Sequence, residues 1–64
     1  MFYISLTQNN GRIIDGSVHA TLNAAQAEFN VMRTVTANAA RNYAGVFTLT
    51  LIDADDNTLA TFVA

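Results

Sequence analysis

The apolar periodicity changes twice along this chain, and those changes fix most of what it can fold into. Phe2, Ile4 and Leu6 alternate with Tyr3, Ser5 and Thr7, the period-two pattern of a strand with one buried face. From Leu22 the spacing widens. Leu22, Ala25, Phe29 and Met32 recur at three, four and three residues, which places them on one face of a helix. From Val46 to Asp53 alternation returns, with Phe47, Leu49 and Leu51 on one side and Thr48, Thr50 and Ile52 on the other.

The residues between these runs supply the connections. Gln8-Asn9-Asn10-Gly11 predicts a hairpin turn, because Asn-Gly accepts positive φ at both central positions. Arg12 to Asp15 then reads as a short return strand that ends at Gly16-Ser17. Thr21 is the predicted N-cap, its hydroxyl accepting a first-turn amide. A helix of about five turns follows, with Gly45 expected just past its end as the left-handed residue. The β-branched residues Val31, Thr34, Val35 and Thr36 oppose helix, so a break between Thr34 and Asn38 is the alternative. Ala54 to Asn57 is a turn, and Thr58 to Val63 is the last strand. Its inward face is ambiguous, since Leu59 and Val63 oppose Phe62.

The predicted fold is therefore α+β: a single domain over residues 1–64 with the order ββαββ, a four-stranded antiparallel sheet carrying one helix on one face. The predicted core is Phe2, Ile4, Leu6, Leu22, Ala25, Phe29, Met32, Phe47, Leu49 and Leu51. Val35 borders the helical stripe, and Ala39 and Tyr43 extend it. The opposite face of the sheet would carry Tyr3, Ser5, Thr7, Thr48, Thr50 and Ile52, without a charge among them.

Charge then bears on function. Arg12, Arg33 and Arg41 are the only cations, and Asp15, Glu28, Asp53, Asp55 and Asp56 are the anions; there is no Lys. A freestanding small domain covers its surface with about a quarter to a third charged residues, whereas only 12% of this chain is charged. Part of the surface is expected to be covered by another chain. Sixty-four residues also form a marginal core. Without Cys the chain has no disulfide or thiolate metal site, so oligomerisation is the expected support. A net charge of −2 argues against dedicated nucleic-acid binding, which rests on clustered Lys and Arg. No apolar run reaches the length of a membrane span, and the N-terminal residues lack the basic region of a signal peptide. The expected location is the cytoplasm.

Candidate sites are few. Asp53-Ala54-Asp55-Asp56-Asn57 resembles the start of a calcium loop, but Thr58 and Ala64 stand where that loop needs Gly and Glu. A solvated turn is the expectation. Asp15, Ser17 and His19 are the residue types of a catalytic triad, yet neighbours in sequence rarely reach triad geometry, and no nucleophile elbow is present. No enzymatic activity, cofactor or metal is expected. Tyr3, Ser5, Thr48, Thr50 and Ile52 on the uncharged sheet face, with Arg33 and Arg41 on the helix, are the candidate partner-binding residues. Tyr and Arg are enriched where interfaces concentrate their energy. The expected partner is a protein, either a second copy of the chain or a different one. The alternative is a weak nucleic-acid-associated accessory role for Arg33 and Arg41, joined by Arg12.

The small size and the short ββαββ plan resemble those of small phage and mobile-element proteins, such as anti-CRISPR proteins and other inhibitors of host machinery. The resemblance is one of architecture and carries no residue. It implies action by occupying a surface rather than by chemistry.

Overall fold

A computed structural model describes residues 1–9 and 11–64. Five elements follow one another: β1 (Phe2–Gln8), β2 (Arg12–His19), α1 (Leu22–Asn42), β3 (Phe47–Asp53) and β4 (Thr58–Val63). All neighbouring strands are antiparallel, in the order β2-β1-β3-β4. The two hairpins thus sit side by side, joined at the centre by β1 and β3. Helix α1 covers one face, as the switch in periodicity predicts.

Ile4, Leu6, Phe47, Leu49 and Leu51 from the central strands meet Ala25, Phe29 and Met32 from the helix in one buried cluster. Two expected core residues differ. Leu22 is 38% exposed, because it opens the first turn before the helix has settled over the sheet. Phe2 only packs against the cluster's rim. Thr36 takes the place that the stripe leaves for a further turn. It is fully buried and its hydroxyl donates to the Met32 carbonyl at 2.7 Å, so the polar atom is satisfied within its own helix. Tyr43 and Val35 are exposed.

The helix is continuous over 21 residues; burial of Ala25, Phe29, Met32 and Thr36 outweighs the β-branched run. Thr21 caps it, accepting from the Ala24 amide at 3.2 Å. Its other end differs from expectation. Tyr43, in extended conformation, stops the helix while its N–H still bonds the Ala39 carbonyl. Gly45 lies further on, at φ +117°, where it serves the loop rather than the cap.

That loop is tied to the first hairpin. The Asn9 amide donates to the Val46 carbonyl at 2.8 Å, and the Val46 amide donates back to Asn9 Oδ1 at 3.0 Å. Gln8 Nε2 donates to the Ala44 carbonyl at 2.7 Å. Among the described residues of the hairpin turn, Asn9 is left-handed, at φ 56°. Gly11 closes the turn through its amide to the Gln8 carbonyl, so it is the fourth turn residue and not a central one. Asn10, the other half of the predicted Asn-Gly pair, lies outside the described residues.

Strand β2 runs through Gly16-Ser17 instead of ending there. Pairing shifts between Leu6 and Thr7, a bulge at Ile14 that re-registers the strand. Gly16 then pairs with Ser5, with the Ile4 carbonyl oxygen 3.3 Å from where a Cβ would stand. A second bulge, at Leu59, separates the Leu51–Ala60 and Ile52–Thr58 pairs. It settles the phase of β4: Ala60 and Phe62 face the helix, while Thr61 and Val63 face away.

Candidate functional site

The sheet face opposite α1 is built by register. Its first row is Val18, Tyr3, Ile52 and Thr58. The middle row is Gly16, Ser5, Thr50 and Thr61. The third is Ile13, Thr7, Thr48 and Val63. Tyr3, Ser5, Thr48, Thr50 and Ile52 therefore lie together as a patch across β1 and β3. No charged residue interrupts the three rows. The sequence reading missed Ile13, Val18 and Val63, which are 70%, 57% and 59% exposed and frame the polar middle row with apolar side chains. Strict alternation puts Ile13 and Val18 on opposite faces; the bulge between them brings both to this one.

Arg33 and Arg41 are on the other side of the sheet. They line an open groove between α1 and β4 together with Asn30, Asn38 and Phe62. The Arg33 guanidinium carbon stands 5.1 Å from the Phe62 ring centre, within cation–π range. Arg12 is not with them. It borders a separate hollow beside Ile14, Ala39 and Tyr43, across the helix. The seven candidate partner-binding residues thus divide into a five-residue sheet patch and an arginine pair in a groove, on opposite faces.

β2 does bring Asp15, Ser17 and His19 onto one side, since they alternate along the strand. Ser17 Oγ and His19 Nε2 are 3.0 Å apart. Asp15 does not complete the relay: it lies on the far side of Ser17 from His19 along β2, and its Oδ1 accepts from the Gly16 amide at 2.8 Å. The cleft beside Ser17 holds about 30 Å³, space for water and far below the size of a substrate pocket.

In the β3–β4 turn, Asp53 Oδ1 accepts from the amides of Asp55 at 2.9 Å and Asn57 at 3.0 Å. Oδ2 accepts from Asn57 Nδ2 at 3.2 Å, and Asp56 supplies the left-handed residue at φ 63°. The carboxylate organises its own turn. These bonds, the Asn57 amide first, hold the Asp53 pKa below 3.8. A carboxylate with a depressed folded pKa adds stability that is present above its unfolded pKa and lost as pH falls through the folded value. The melting temperature should therefore drop below pH 3.8, and Asp53→Ala should flatten that drop. An acid limb equally steep in the variant would assign it to other carboxylates.

Among the described residues, no group of His, Asp and Glu is placed to hold a metal ion, and no helix is long and apolar enough to cross a membrane. Comparison with protein-family models, with curated proteins and with solved structures gave no match.

Proposed function

We propose that this chain is a non-catalytic protein–protein interaction module of the cytoplasm, which acts by laying its uncharged sheet face on a protein surface. The reading rests on one observation: three rows of side chains with exposed Tyr3, Ile13, Val18 and Val63 and without a charge. A face of that composition loses little solvation when covered, because it has no ion to desolvate. Exposed apolar side chains grouped on one surface mark contact sites. Tyr3 supplies a large contact area with a polar tip. The small phage-type inhibitors that the architecture resembles would use such a face to block a host complex. The separation of Arg12 from Arg33 and Arg41 favours the protein reading over a nucleic-acid one, since two arginines in one groove release few counterions.

The test places a charge in the middle row. Thr50→Lys adds an ammonium at the centre of the face, where docking would have to desolvate it. Tagged native domain should retain one defined protein, Thr50→Lys should lose it, and Arg41→Ala should keep it. Equal retention by Thr50→Lys, or retention of nothing by the native domain, overturns the proposal.

A further inference from the structure

The two edges of the sheet are not equivalent. Both edge strands carry a bulge, at Ile14 on β2 and at Leu59 on β4, but on β2 the Asp15 carboxylate also covers the outward Gly16 amide. Arg12 and Asp15 add charge of both signs. These are devices that keep an edge from pairing with another chain. β4 differs, because Thr58-Leu59-Ala60-Thr61-Phe62-Val63 has no charge and no Pro. Phe47 and Ala64 exchange backbone bonds at 3.1 and 2.9 Å. Antiparallel alternation then points the N–H and C=O groups of Phe62 and Ala60 towards β3, and those of Thr61 and Val63 outward.

We infer that β4 pairs with β4 of a second copy, antiparallel about Thr61, to form a continuous eight-stranded sheet. Thr61 and its counterpart exchange two backbone bonds at the two-fold axis, and Phe62 stands opposite Ala60 of the second copy, short of the bulge at Leu59. Charge selects this occupant. The helix ends, with Arg41 in its last turn, at the end of the sheet where Phe47 meets Ala64. The acidic turn of Asp53, Asp55 and Asp56 lies at the opposite end. Antiparallel pairing reverses one copy against the other, so each acidic turn arrives beside the other copy's Arg41, twice by symmetry.

The extent of the open face agrees. Four strands about 4.8 Å apart and seven residues at about 3.4 Å each span about 450 Å² in projection. A stable interface takes about 800 Å² from each partner. Joining two sheets edge to edge doubles the uncharged face and brings it to that size. The pairing stands whether or not that face docks a partner.

Light scattering across a wide concentration range should give a mass rising to twice 6.9 kDa. Thr61→Pro removes an outward amide and no β3–β4 bond, so it should give a monomer with unchanged far-ultraviolet dichroism. Thr61→Lys, which sets two ammonium groups opposite each other across the axis, should do the same if proline disturbs the strand. Arg41→Glu and Asp55→Arg should each raise the dimer dissociation constant about fivefold, the size of a surface ion pair, and their combination should restore it. Thr50→Lys should leave the mass unchanged, which separates this pairing from docking by the open face. A native chain that stays monomeric throughout, a dimer indifferent to both Thr61 variants, or a charge swap that fails to restore association overturns the inference.

Discussion

Gly45→Ala should lower the stability of this domain by about 2–4 kcal/mol, from strained backbone together with a lost hydrogen bond. Gly45 sits at φ +117°, a conformation that side chains resist. The new Cβ would also stand 2.8 Å from Asn9 Oδ1, closer than van der Waals contact permits. Asn9 has to give way, and with it the bond it accepts from the Val46 amide. The substitution thus strikes the tie between the first hairpin and the chain entering β3. A 64-residue chain has about 3–10 kcal/mol of stability in total, so much of it would go. Each kcal/mol moves the melting temperature of a domain this small by about 4–8 °C, and thermal denaturation should show a fall of about 8–32 °C. Gly11→Ala is the internal control. Nothing lies within 4 Å of its Cβ position, so its stability should change by no more than about 1 kcal/mol in either direction. Equal melting of the two variants would disprove the tie.

These two glycines also mark where sequence reading worked and where it did not. Asn10-Gly11 is the strongest local turn signal, yet its glycine closes the turn through the Gln8 carbonyl, and Asn9 is left-handed. Turn chemistry permits Asn there; the bonds from Asn9 to Val46, 37 residues away, hold it in place. Gly45 was legible as a special position, but for the wrong reason. A helix end and a strained loop both call for glycine, and only the packing against Asn9 separates them.

The period changes carried the fold. Alternation in β1 and β3 placed Ile4, Leu6, Phe47, Leu49 and Leu51 inward because each pair of central strands is buried on the same face. The edge strands were harder to read, since each contains a bulge. A bulge adds one residue to the alternation and reverses the phase beyond it, so neither the inward side of Phe62 nor the shared face of Ile13 and Val18 follows from the pattern. The candidate patch shows the same division. Its five residues on β1 and β3 were legible, whereas the apolar frame contributed by β2 and β4 was not. The arginine pair was read correctly as one-sided on the helix, but its neighbour Phe62 depends on the bulge at Leu59.

Leu49→Ala should cost about 2–5 kcal/mol, the range for truncating a buried leucine. Leu49 is fully buried, on β3 beneath the helix, and pairs with Leu6 on one side and Phe62 on the other. Removing its side chain opens a void that the neighbouring central strands, held by ladders on both edges of β3, cannot collapse to fill. The sequence assigns Leu22 to the same core by the same spacing argument, but its exposure of 38% predicts a much smaller cost for Leu22→Ala, about 1 kcal/mol or less. Denaturant unfolding of the two variants should separate them at least twofold in lost free energy. The contrast matters for the interaction reading as well. A chain whose native stability is about 3–10 kcal/mol can lose most of it at Leu49, so a binding defect in that variant would report unfolding and say nothing about the sheet face. Leu22→Ala should stay folded and keep its associations. If both variants unfold alike, the helix is seated one turn nearer its N-terminus than Ala25, and the groove that carries Arg33 and Arg41 beside β4 moves with it.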